Sequence, residues 1–384
     1  MDTFGLVSAA AKIGFALAII FSFAPVLIWA ERRQSAMMQD RVGPVRAGIK
    51  IFGINITLFG LLHPLADAIK LIFKEDFVPV KADKFLHALA PIISLVPAIS
   101  VFAVIPFGDT FYPELWNQRF SMDLVGPETR GTALQIASLN VGMLYIFGIA
   151  GTGVVGAAIA GYSSDNKYSL LDGIRAAGQM VSYEVTLGLS LVGCFMVYDT
   201  LLLEDMVHWQ MNHMWGVFAQ PIAFFVFFTA AIAETKRIPF DVPEGESEIV
   251  GGYFTEYSGM KFGMFFMGEF VEVVTSSAIL ITLFFGGYHL PFLNAQGWDF
   301  SFSAFGHSFL QTAQIPLQHW GVTALEVGTW VLKLSLMIWF QLMIRWSLPR
   351  FRYDQIMALC WKVLLPLSLL NVLITGIVII ALNS

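Results

Sequence analysis

Long apolar runs separated by polar stretches dominate this chain. Counting each run of about 20 residues as one crossing of a hydrocarbon core roughly 30 Å thick predicts eight transmembrane helices. They fall near residues 5–30, 86–106, 133–160, 178–199, 217–234, 261–286, 325–346 and 358–381. The first connecting loop, Glu31 to Lys84, is too long for a simple turn and carries a different pattern. In LADAIKLIFKED, Leu65, Ile69 and Ile72 share one helical face while Asp67, Lys70 and Lys74 share the other. That alternation predicts an amphipathic helix lying in the membrane interface, with a short re-entrant hydrophobic segment as the alternative. The expected fold class is therefore an all-α integral membrane protein, with residues 1–384 forming a single transmembrane domain.

Composition supports this reading. The chain is 57% hydrophobic and 13% charged, against the roughly 25% charged of ordinary soluble domains. No basic residue precedes the first apolar run, which is long enough to span and reads as a retained helix rather than a cleaved signal. Cys194 and Cys360 stand far apart in apolar surroundings, with no CxxC pattern for zinc or an iron–sulfur cluster. Any redox centre must belong to another chain. Counted with their flanking residues, the odd-numbered loops hold nine, two, three and three basic residues, while the even-numbered loops hold only Arg119 and Arg130. The bias places the odd loops in the cytoplasm and both termini on the opposite side. Aromatic residues in loops 107–132, 200–216 and 287–324 read as interface caps on that opposite side.

Charge becomes informative between Glu234 and Glu272, where eight acidic residues gather: Glu234, Asp241, Glu244, Glu246, Glu248, Glu256, Glu269 and Glu272. Asp241 followed by Pro243 has the form of a helix start, which accounts for part of the acidity. Glu244, Glu246 and Glu248 exceed what a cap requires, and Glu244 and Glu248 would repel one another on a shared face. With the glutamates on either side they suit a hydrated proton or charge relay. Glu184 adds a carboxylate inside the fourth span, and such groups usually line polar paths. GTGVVG, with Gly151, Gly153 and Gly156, matches a dinucleotide fingerprint in form only, since no strand precedes it. Glycines there instead predict close helix packing. The seven histidines are scattered and no metal-ligand set is legible.

Several long segments together resemble a known family. They are ERRQSAMMQDRVGP, LADAIKLIFKED, GYSSDNKYSLLDGIRAAGQMVSYEVTLGLSL, AETKRIPFDVPEGESEIVGGYFTEYSGMKFGMFFMGEF and LPRFRYDQIMALCWKVLLPLSL. In order and across most of the chain, they are similar to the quinone-site membrane subunits of respiratory complex I, the proton-pumping NADH:quinone oxidoreductase. The resemblance implies a bacterial inner-membrane subunit at the heel of the membrane arm. Its expected substrate is quinone, ubiquinone or menaquinone, with no iron–sulfur, flavin or metal centre in this chain. Its expected partners are the soluble Fe–S and quinone-site subunits of the peripheral arm, small membrane subunits, antiporter-like subunits and the lipid bilayer, with no nucleic acid. By position in the matching motifs, Arg32, Arg41 and Asp67 would border the quinone passage, with Glu244, Glu246 and Glu248 beneath the chamber. Glu184, Glu234, Glu256, Glu269 and Glu272 would continue as an acidic path.

The chain departs from the family pattern at an insertion near residues 50–58, in the extended loops 107–132 and 287–324, at Val45, at Ser138, and at Phe270 in place of tyrosine. Two other readings compete: a membrane subunit of an energy-converting hydrogenase, and a stand-alone proton-coupled transporter. EYSGM and RYDQ favour the quinone-linked branch, and the inverted repeats common in transporters are missing from the sequence.

Overall fold

The computed structural model describes residues 3–51, 54–116, 118, 131–242, 251–295, 297–299, 303–304, 307–308 and 314–383. Seven helical spans among them are long and apolar enough to cross a membrane. Helix α1 (Thr3–Met38) is followed by a short hairpin, β1 (Ile49–Ile51) and β2 (Ile54–Ile56), and then by α2 (Leu62–Phe73). Leu65, Ile69 and Ile72 of α2 are exposed. Helix α3 (Lys84–Ser100) starts where the Asp83 carboxylate accepts hydrogen bonds from the backbone N–H groups of Phe85 and Leu86.

The third apolar run does not begin at residue 133. Residues Thr132–Leu134 form β4, which pairs with β3 (Gly108–Phe111). The run turns helical only at α4 (Gly142–Ala150), which breaks at Gly151 before α5 (Thr152–Ser163). Helix α6 (Lys167–Tyr198) starts well before residue 178. Hydropathy under-reads its first turns because Ser169 and Asp172 are polar yet fully buried against neighbouring elements. After α7 (Leu203–Asn212) and the single turn α8 (Gly216–Ala219) comes α9 (Pro221–Glu234), only 14 residues long. It is the one expected crossing that falls short of a full span.

Helix α10 (Gly259–Phe284) lies at the centre, with most of its residues buried. Around it pack α1, α2, α3 and α11 (His319–Ser347), while α6 packs on α5 and α9. The C-terminal span is α12 (Tyr353–Leu359), a π-helical turn at Cys360–Leu364, and α13 (Leu365–Asn383), which packs on α6. Short strands also occur after α10, where Leu293–Asn294, Gly297–Asp299 and Gln314–Pro316 form one antiparallel sheet. The extended loops thus carry hairpins, and the chain is mostly rather than wholly helical.

GTGVVG divides into separate roles. A Cβ on Gly156 would lie 2.9 Å from the Ser94 backbone nitrogen, so this glycine lets α5 approach α3 closely. Gly153 faces open space. At Gly151 the nearest atom to an added Cβ would be Glu184 Oε1, at 2.6 Å, so the helix break seats a carboxylate.

Candidate functional site

Two adjacent cations sit in the turn that ends α9. Lys236 takes the left-handed backbone conformation, φ 55°, uncommon for a non-glycine residue, and the chain reverses there. Gln179 on α6 holds both sides of the reversal: its Nε2 donates to Ala233 O and to Phe240 O, each at 2.8 Å. On the far edge of the segment, Arg350 Nε donates to Asp241 O at 2.7 Å and Phe351 N to Pro239 O at 3.0 Å.

Each cation finds a carboxylate from a different helix. Lys236 Nζ lies 3.8 Å from Glu272 Oε2 on α10, an ion-pair distance with the ammonium almost wholly buried. Arg237 reaches Glu31 on α1, with Nη1 3.4 Å from Oε1, and its guanidinium lies 4.2 Å from the centre of the Phe270 ring. Phe270 thus offers a face to a cation. Arg345 from α11 closes on the same Glu31 oxygen. One carboxylate between two guanidiniums, all largely buried, ties α1, the α9 turn and α11 together.

The network extends inward. Lys236 also interacts with Tyr253, by hydrogen bond, and electrostatically with Glu269, which is buried on α10. The Tyr253 backbone N–H donates to Asp172 Oδ2 of α6 at 3.1 Å. Glu234 lies within electrostatic range of Glu272, Glu184 and Lys236. Glu234 and Glu272 line a cavity of about 70 Å³ between α3, α4, α6, α9 and α10, walled mostly by apolar groups such as Met143, Leu187 and Phe227, with Ser94, Thr235, Thr275 and Ser276 adding hydroxyl-bearing side chains. Two carboxylates and several hydroxyls around a small void can hold water and pass protons through it.

The expected site residues separate into groups. Glu184, Glu234, Glu269 and Glu272 converge on this network. Glu256 lies apart, accepting from Asn166 Nδ2 at 2.8 Å, with its carbonyl 3.3 Å from the His87 ring nitrogen. The adjacent Tyr257 stacks on His87 at 4.0 Å, and burial pushes its phenol up to about 12. Arg32 and Asp67 form a half-exposed ion pair at 2.6 Å that joins α1 to α2. Arg41 is exposed just beyond the end of α1. Glu244, Glu246 and Glu248, together with the helix start expected at Pro243, lie outside the described residues.

Sequence reasoning missed Glu31, Lys236, Arg237, Tyr253 and Arg345. Glu31, Lys236, Arg237 and Arg345 sit at the ends of apolar runs, where charged residues read as anchors by default, and Tyr253 sits in the stretch between two runs. The available signal was Glu31 beside Arg32 and Arg33, an acid among anchors. The sequence also offered no metal-ligand set, yet the fold gathers Asp109, Glu204 and His208 within 4.8 Å of one another.

Comparison with known proteins agrees along nearly the whole chain. A model of the NADH dehydrogenase family matches residues 11–376. The chain is 40% identical to an H-type NADH-quinone oxidoreductase subunit of Geobacter sulfurreducens, over 98% of both chains. It is 43% identical to an H-type subunit of the same enzyme from Geobacter metallireducens, over 91% of this chain and 89% of that one. With the corresponding NADH-quinone oxidoreductase subunit of Flavobacterium johnsoniae it shares 39% identity over 99% and 97%.

Proposed function

We propose, from the premise that the chain belongs to the NADH dehydrogenase family and is a membrane subunit of an NADH-quinone oxidoreductase, that it receives quinone from the bilayer and couples quinone reduction to proton movement. In this reading the whole chain acts as one transmembrane domain of eight crossings, α9 being the eighth, with odd-numbered loops cytoplasmic and both termini opposite. Helix α2 lies in the interface, its apolar face turned to lipid, and quinone passes between α1, α2 and α10. Arg32, Arg41 and Asp67 border that passage, and the loop bearing Glu244, Glu246 and Glu248 lies below the chamber. The soluble Fe–S and quinone-site subunits dock on the same face, and small membrane and antiporter-like subunits flank the helices.

The observation that carries the reading is the Lys236–Arg237 turn. It places one cation on Glu31, which adjoins the Arg32–Asp67 pair, and the next cation on Glu272, which faces the carboxylate-lined cavity. Reducing a quinone draws protons and adds negative charge. A change at the Glu31 side shifts how strongly Arg237 and Lys236 are held, and so which of Glu272, Glu234 and Glu184 carries a proton. Glu269 and Tyr253 share Lys236 and extend the line, with Glu256 as a further member.

Glu272→Gln in the intact complex tests this. The amide keeps the shape and removes the charge, so proton translocation is expected to fall at least about tenfold, on the scale of losing one positioned proton-transfer group. Proton pumping in liposomes and quinone reduction, measured together, read the outcome. Unchanged pumping in a fully assembled variant removes Glu272 from the path.

A further inference from the structure

A second polar cluster lies in the loops that follow α3, α6 and α10, away from the Lys236–Arg237 turn. Helix α7 carries Glu204 and His208 four positions apart, so both side chains leave the same face. Strand β3 brings Asp109 against them, with Asp109 Oδ1 3.8 Å from His208 Nε2. One donor atom from each of the three falls within 4.8 Å of the other two. The carboxylates are held in place: Gln135 Nε2 donates to Glu204 Oε2 at 2.9 Å, and the Thr110 N–H donates to Asp109 Oδ1 at 2.7 Å.

A separate observation points into the same space. Tyr288, in the turn after α10, is wholly buried, and its hydroxyl has no hydrogen-bond partner among the described residues. Its ring stands edge-on to the His208 imidazole at 6.5 Å, and the hydroxyl lies within electrostatic range of Asp109, Glu204 and Glu326. A buried hydroxyl left without a partner is destabilising, and here it is aimed at acidic groups. Glu326 on α11 accepts the Asp109 N–H at 3.1 Å and lines, with Asp109, Tyr112 and His319, a cavity of about 260 Å³ that reaches the Asp109 edge of the cluster.

We propose that Asp109, Glu204 and His208 bind a divalent transition-metal cation of the zinc type, with the Tyr288 hydroxyl donating to a ligand oxygen or a metal-bound water. An imidazole with two carboxylates suits zinc, whereas calcium and magnesium take oxygen ligands. Zinc bonds to nitrogen and oxygen are about 2.0–2.2 Å in a tetrahedral arrangement, so two donors on one ion lie about 3.4 Å apart. The Asp109–His208 spacing of 3.8 Å needs to close by about 0.4 Å, and the widest pair, within 4.8 Å, by up to about 1.4 Å. The site holds an ion without redox chemistry and cross-links β3 to α7.

Zinc chloride titrated into the detergent-solubilised complex against a chromophoric chelator tests the assignment. The unaltered complex is expected to take up one more zinc per particle than complexes carrying Glu204→Gln or His208→Asn, whose affinity at this site drops at least about 100-fold. Tyr288→Phe weakens binding about tenfold. Equal zinc stoichiometry and affinity in the unaltered complex and both ligand variants overturns the proposal. A second measurement needs no variant: zinc, but not magnesium, should protect His208 from diethylpyrocarbonate, read by peptide mass spectrometry. Equal modification with and without zinc also overturns it.

Discussion

Lys236 is an ammonium group with almost no access to solvent, held by Glu272, Glu269 and Tyr253. Removing one member of a buried ion pair leaves the other charge uncompensated, at a cost of about 3–5 kcal/mol. Lys236→Met is therefore expected to reduce the amount of assembled complex on native gels, and adding Glu272→Gln to it should recover part of the loss by discharging the orphaned carboxylate. A double variant no better than the single one would mean that Lys236 is held by something other than that charge. His289 makes a different prediction. Burial and the neighbouring Lys333 ammonium bring its imidazole down to about 4, so the closed turn holds it neutral. A histidine lowered in the folded state binds fewer protons there than when the turn opens, so the stabilisation is complete above about pH 6.5 and fades as the pH falls towards 4. Hydrogen exchange at Gly287 and His289, corrected for intrinsic rates, should report weaker protection across that window, and His289→Asn should flatten the profile. Neither residue announces this in the sequence. Arg237 and Glu31 pair across 206 positions, and no local pattern signals a contact so distant.

Helix boundaries were legible where apolar runs ended in caps and misread where polar side chains were buried. Asp83 closes the start of α3 near its expected place. Helix α6 extended beyond expectation because Asp172 has a partner in the fold, the Tyr253 backbone, while Gln179, just inside the expected span, holds both ends of the α9 turn. Two glycines of one motif then predict opposite consequences. Gly156→Val drives a side chain into the α3 backbone, and overpacking of this kind costs about 1–3 kcal/mol. It should lower the thermal stability of the complex. Gly151→Ala meets only the end of the Glu184 side chain, which can move aside. Stability should hardly change, while proton pumping falls if Glu184 is a carrier; unchanged pumping would place the carboxylate outside the path.

Across the whole molecule, hydropathy located most of the spans, and the long motifs pointed to the family. What they left open was the convergence of α1, α6, α9, α10 and α11 on one buried network, which depends on packing that no run of residues encodes. The short helix α9 shows what that packing permits. Its 14 residues rise about 21 Å, against roughly 30 Å of hydrocarbon. As a crossing it would expose unsatisfied backbone to lipid, were Gln179 and the surrounding helices not there to receive its end. On the proposed reading of α9 as a crossing, the charged turn that begins where it stops shortens the apolar path at this point. Were the membrane voltage to fall over that shorter path, about two thirds of the usual distance, the local field would be roughly 1.4 times that across a full-length helix. A charge stepping along α9 would then do more electrical work per ångström than one moving along a full-length span.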